Sequence, residues 1–177
     1  MYIKTIRLVI ISISIMFFGC SNNIQDIKLL YKESVDYDFG LNIETNYYLK
    51  GQLEFKLLAE EMKKIRGAGE KNIFPKGIKV IVYNQNSDTT AIMSSEFAIQ
   101  KKNEQLVEAS NNVILRNSNN EQLNTEKLFW DGNAKTIYTD DFVTIKTENE
   151  IIMGYGFVTD ESFSSYSLSD ITGTIYL

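Results

Sequence analysis

The chain has 177 residues, 44% of them apolar and 12% aromatic, with 18 basic and 23 acidic side chains for a net charge of −5. That length supports one domain with a real core, and this apolar content excludes a disordered chain. The charge gives no basic footprint for nucleic acid. With no histidine and a single cysteine, the Ser-His and Cys-His nucleophile pairs and the common zinc-ligand sets are absent, so no metal or cofactor is expected.

Lys4 and Arg7 form a positive n-region ahead of "LVIISISIMFF", an apolar run of 11 residues from Leu8 to Phe18. A bilayer span needs roughly 20 residues, so residues 1–19 read as a signal peptide. Its end, Phe17-Phe18-Gly19-Cys20, resembles a bacterial lipobox, in which a small residue precedes a cysteine that is diacylated and becomes the mature N-terminus. Phe17 and Phe18 depart from that pattern, where leucine and a small residue are commoner. An uncleaved anchor helix with an incidental cysteine is the alternative, and either way the domain is tethered outside the cytoplasm. Two acyl chains on Cys20, at about 0.8 kcal/mol per buried CH₂, would anchor stably where one is marginal. Residues 20–46 are polar with scattered aromatics and read as the lipidated N-terminus and a tether merging into a first strand.

The domain proper, 47–177, is expected to be a ladder of strands. Leu49, Gly51, Leu53, Phe55 and Leu57 alternate with a period of two, which predicts a strand over 47–59. Leu58, Met62 and Ile65 lie at helical spacing, so 60–66 stays open between strand and a short helix. Beyond Gly69, strands are predicted at 77–83, 89–99, 105–109, 112–117, 121–130, 135–139, 142–147, 150–159 and 170–176. Turns rich in Asn, Asp and Gly separate them. That spacing, with no long helices interposed, points to an all-β fold of antiparallel sheets in a sandwich, barrel or roll.

Three features carry the candidate chemistry. If Val113, Leu115, Leu123, Leu128, Trp130, Ile137, Val143 and Ile145 face one interior, they either pack on each other as a closed core or line a groove for acyl chains. In "IIMGYGF", Ile151, Met153, Tyr155 and Phe157 put bulk on one face while Gly154 and Gly156 leave the other nearly bare. Glycines inside a strand mark a bend or the close approach of a ligand or partner. The last run, "DITGTIYL", alternates Ile171, Gly173 and Ile175 against Thr172, Thr174 and Tyr176, with no proline and no charge after Asp170. Nothing there protects an edge from pairing with another chain. The adjacent acids Glu60-Glu61, Asp140-Asp141 and Asp160-Glu161 point to opposite faces of a strand and read as solvated turn residues. Two acids converging at roughly 5–10 Å, as glycoside hydrolysis needs, are not selected by the sequence. No enzyme is expected.

The order of "FPKGIKVIVYNQNSDTTAIMSSEFAI", "VEASNNVILRNSNNEQLNTEKLFWD" and "KTIYTDDFVTIKTENEIIMGYGFVTD" resembles the LptC family, the periplasmic C component of the lipopolysaccharide-export ABC transporter, in a lipoprotein form. The resemblance covers roughly residues 45–175. Its most specific run passes from Asn112, Val113 and Leu115 through Leu123, Thr125 and Leu128 to Trp130-Asp131. It continues with Ile137, Thr139-Asp140, Val143 and Ile145, and ends at Gly154 and Gly156-Phe157. It implies a twisted, open antiparallel β-jellyroll, sandwich-like in its layers. Such a roll receives lipopolysaccharide from the inner-membrane transporter subunits and passes it to the next jellyroll of a periplasmic bridge. The eight interior residues would then be the groove. Strands 150–159 and 170–176, with Gly154, Gly156, Ile171, Gly173 and Ile175, would be the outgoing edge, and the anchored membrane would be the inner one. The segment before Cys20 departs from family forms held by an uncleaved transmembrane helix. The competing reading is an adhesin-like or scaffold sandwich lipoprotein with a filled core that binds proteins through its edges.

Overall fold

Twelve strands and one turn of 3₁₀ helix (Lys102–Glu104) make up the secondary structure of residues 37–67 and 69–177, which the computed structural model describes. The strands are β1 (Tyr37–Leu49), β2 (Gln52–Ile65), β3 (Lys71–Phe74), β4 (Ile78–Tyr83), β5 (Thr89–Ser95) and β6 (Phe97–Lys101). They continue with β7 (Leu106–Asn117), β8 (Gln122–Asp131), β9 (Thr136–Thr139), β10 (Val143–Lys146), β11 (Glu150–Asp160) and β12 (Tyr166–Tyr176). All pairings are antiparallel, so the all-β jellyroll-like fold expected from the sequence is the one formed.

The long strands explain the shape. β2 pairs with β4 through residues 55–58 and with β3 through 63–65. β7 pairs with β6 through 106–110 and with β5 over Ser94↔Ile114 to Ala91↔Asn117. β8 and β11 each pair with β10 in their first halves and with β9 in their second. Each long strand therefore runs through two layers, one containing β4, β5 and β10, the other β3, β6 and β9. The short strands are the same path cut at a corner. β3 and β4 are separated by Pro75-Lys76-Gly77, β5 and β6 by Glu96, and β9 and β10 by residues 140–142. Gly77 sits at this corner with φ of +78°, and a Cβ there would collide with the Ser95 carbonyl oxygen, so only glycine fits. In β7 the corner is a bulge at Asn111 and Asn112, with φ of +63° and +51°, where the Asn111 carbonyl accepts the Glu96 amide at 3.0 Å.

Inward residues of both layers meet in one core cluster that includes Leu57, Val80, Met93, Ala98, Val107 and Phe157. Burying each large apolar side chain is worth about 1.5–3 kcal/mol. Lys79, Arg116, Asn124 and Lys146 alternate to the outer, solvated face.

Several boundaries differ from those read in the sequence. The strand expected over 47–59 is two strands, because Lys50 and Gly51 take φ of +50° and +85° and form a hairpin turn. The apolar alternation runs straight through that turn, which is why it reads as a single strand. β1 starts at Tyr37, ahead of residue 47, and pairs with β2 along its whole length. Being an edge strand, it leaves Phe39 and Leu41 exposed, so its pattern lacks a buried face. Residues 60–65 are strand, held by β1 on one side and β3 on the other. The strand expected over 89–99 breaks at Glu96, and those at 105–109 and 112–117 are one strand bent at the asparagine bulge. β12 begins at Tyr166 rather than 170. Cys20 and the signal segment lie outside the described residues.

Candidate functional site

Opposite the corner, the two layers end in turns and stand apart. There a cavity of about 340 Å³ opens between Tyr47, Leu49, Phe55, Leu57 and Val82 of one layer and Gln100, Val107, Trp130 and Lys135 of the other. The wall is mostly apolar and aromatic on the first layer, while Gln100, Lys102, Lys135 and Glu161 make the facing side largely polar. Phe55 stacks on Tyr47 at 4.7 Å on its own layer and meets Trp130 edge-on at 4.8 Å across the opening. Trp130 is turned by its partner: its Nε1–H donates to Glu161 Oε1 at 2.9 Å, and Lys135 Nζ lies 3.6 Å from Glu161 Oε2. The opening thus sets an apolar, aromatic surface beside the charged pair of Lys135 and Glu161.

The eight interior residues named from the sequence, Val113, Leu115, Leu123, Leu128, Trp130, Ile137, Val143 and Ile145, all belong to the core cluster. Trp130 alone among them borders the cavity; the other seven are 3% exposed or less and pack behind it. The structure therefore brings the eight together on one interior and places most of them in filled core. Phe55, Leu57 and Val107, which do line the opening, were not named as groove residues, although the alternation of Leu53, Phe55 and Leu57 placed two of them on one face.

Toward β12 the interior is closed by the turn between β11 and β12. Phe163 of that turn is fully buried, at φ of +51°, against Phe157 (5.8 Å) and Tyr166 (5.5 Å). Asn117, at the end of β7 on the opposite layer, donates from Nδ2 to the Phe163 carbonyl at 2.8 Å. Asp160 organises the turn: its carboxylate accepts from the Ser162 and Ser164 amides and from the hydroxyls of both serines. Partial burial works to raise the Asp160 pKa, but these hydrogen bonds outweigh it and bring the carboxyl down to about 2. Asp160 and Glu161 are thus committed to the turn rather than solvated, whereas Asp140 and Asp141 are exposed. The only mark of this buried turn in the sequence is an isolated phenylalanine in the polar run "DESFSS".

The strand with two glycines corrects the reading of that edge. β11 is not an edge: it lies between β12 and the pair β9 and β10. A Cβ on Gly154 would collide with the Asp170 carbonyl oxygen, and one on Gly156, at φ of +68°, would meet the Ser169 side chain at 2.7 Å. The close approach they permit is by β12 of this same chain. The left-handed Gly156, between them, also breaks the alternation, so Tyr155 turns outward and Phe157 inward rather than sharing one face. Ile171, Gly173 and Ile175 do lie on an edge strand, since β12 pairs with β11 alone, and Ile171 and Ile175 are more than half exposed. Among the described residues no group of three or more acids or cysteines gathers as a metal site, and no helix is long and apolar enough to cross a membrane.

A family model described as "Lipopolysaccharide-assembly, LptC-related" matches residues 7–176. No curated protein matches the chain.

Proposed function

The chain belongs to the LptC family of lipopolysaccharide-assembly proteins, whose role is lipopolysaccharide transport, and we propose that the opening between its two layers is the lipid groove. In this reading the protein takes lipopolysaccharide from the inner-membrane ABC transporter subunits and passes it to the next jellyroll of the periplasmic bridge. The observation that carries the reading is the continuity of the Tyr47, Phe55, Leu57 and Trp130 wall with the apolar core behind it. An acyl chain entering there gains about 0.8 kcal/mol per CH₂ removed from water. It extends inward by displacing contacts among Leu115, Leu123, Leu128, Val113 and Ile137, and then Val143 and Ile145. β12, with Ile171, Gly173 and Ile175 on its open edge, is the strand that pairs with the outgoing jellyroll. Cys20, acylated, would hold the domain at the periplasmic face of the inner membrane.

A specific observation favours a second reading, a filled sandwich that binds only proteins: seven of the eight interior residues are 3% exposed or less and line no part of the opening. Purifying the mature protein in mild detergent and weighing the bound lipids by mass spectrometry separates the two. Stoichiometric lipopolysaccharide supports the groove, and its absence together with captured protein partners supports the filled sandwich.

A further inference from the structure

We infer that the turn between β11 and β12 is a plug that divides the groove, with Phe163 as the element that must leave before lipid can pass from the Phe55–Trp130 opening toward β12. The inference rests on the groove reading above. The cavity runs from β1, β2 and β4 past Val107 and Trp130 as far as Glu161 of the β11–β12 turn, and the outgoing edge lies beyond that turn at β12. Phe163 stands between them. Its ring occupies the interior beside Phe157 and Tyr166, where a migrating acyl chain would have to run.

Turns of a sandwich ordinarily keep to the rim, because a buried loop must find partners for its backbone groups. This one is drawn inward and its backbone is provided for. The Phe163 amide donates to the Asp160 carbonyl at 3.1 Å, and the Phe163 carbonyl accepts from Asn117 Nδ2 on the opposite layer at 2.8 Å. The turn thereby ties the two layers together across their open side. Its neighbour Glu161 is held by Trp130, a wall residue of the cavity, at 2.9 Å. A lipid that displaces the Trp130 ring therefore pulls on the residue two positions before the plug. Phe163 is also held at φ of +51°, a left-handed conformation that is unfavourable for a residue with a Cβ. That strain is released when the turn swings out, which lowers the cost of opening. Asp160 holds the turn's own shape, while what fastens it to the rest of the roll is the Asn117 bond, the Trp130 and Lys135 contacts of Glu161, and the packing of the Phe163 ring.

The test uses the full-length chain in cells carrying the export machinery, with a photo-crosslinking residue at Phe55, before the plug, or at Leu168, beyond it on β12. Adducts are read by lipopolysaccharide immunoblot. Two variants open the plug differently. Phe163→Gly removes the ring and suits the left-handed backbone. Asn117→Asp keeps the Oδ1 acceptor that serves the Asn119 and Glu121 amides, while replacing the Nδ2 that donates to the Phe163 carbonyl and to Glu121 Oε2 with a carboxylate oxygen that repels both. The wild type is expected to capture lipopolysaccharide strongly at Phe55 and weakly at Leu168. Both variants should raise capture at Leu168 several-fold and leave Phe55 unchanged. Equal capture at the two positions in the wild type, or no gain at Leu168 in either variant while Phe55 still captures, overturns the plug. Loss of capture at Phe55 in every form overturns the groove itself, and the plug with it.

Discussion

Gly154→Ala tests how closely β12 is bound to the rest of the roll. The added Cβ runs into the Asp170 carbonyl oxygen and sits 3.2 Å from both the Asp170 carbonyl carbon and the Ile171 Cα. All three obstacles are backbone atoms of β12, so no side chain can rotate out of the way. Either β12 slides off its register with β11 or the ladder bonds beside the Gly154↔Ile171 pair stretch. Overpacking of this kind costs about 1–3 kcal/mol, and each weakened ladder bond about 1 kcal/mol. A total of about 2–3 kcal/mol, at about 3 °C per kcal/mol for a domain of this size, lowers Tm by about 6–9 °C. Gly156→Ala should do less, about 3–5 °C, because its left-handed φ costs about 1 kcal/mol but the Ser169 side chain that it meets can turn aside. Melting curves by circular dichroism, with hydrogen exchange of the β12 amides, read both. A Gly154→Ala protein melting within about 1–2 °C of the wild type, as a neutral surface change would, would refute the close β11–β12 packing. It would return Gly154 to the role of a contact for another chain.

The low pKa of Asp160, about 2, makes the plug turn acid-sensitive. Because its folded pKa lies below the ordinary 3.8, the stabilisation is present above that value and is lost as pH falls toward 2. Tm should therefore fall on acidification from pH 5 to pH 2, and less steeply in Asp160→Asn, as differential scanning calorimetry across pH will show. Ile171→Asp places a charge on the open edge strand at a side chain 59% exposed, so Tm should move within about 0.5 kcal/mol equivalent. A pull-down of the outgoing jellyroll protein should nonetheless be lost. Cys20→Ser should stay unprocessed and take up no fatty-acid analogue in metabolic labelling; label retained by the serine variant would overturn the anchor.

What the sequence showed clearly was side-chain alternation, and where the chain turned corners it misled. The eight interior residues were legible because Val113 and Leu115, Leu128 and Trp130, and Val143 and Ile145 each repeat at a period of two, and burial follows that period within each run. The period fails where the chain turns a corner: Lys50 and Gly51 hide a hairpin inside one apparent strand, Asn111 and Asn112 split one strand into two apparent ones, and opposite that bulge the burial of β8 changes parity between Thr125 and Leu128. Gly154 and Gly156 were recognised as sites of close approach, but sequence does not name the approaching strand, and here it is β12. The plug went unseen for a related reason. Phe163 is buried through a turn, and turns carry no periodicity from which burial can be read. The cavity wall was half legible, since Phe55 and Trp130 each lie on a predicted strand but meet only when the two layers fold over each other.

The central claim is that lipopolysaccharide runs between the layers, and site-specific photo-crosslinking in exporting cells tests it most directly. Crosslinkers at the inward Leu57, Leu128 and Trp130 should capture lipopolysaccharide, while those at the outward Arg116 and Lys146 should not. Capture at both sets alike, or at neither while the protein still binds its export partners, would contradict the groove and leave a filled sandwich that works through its edges.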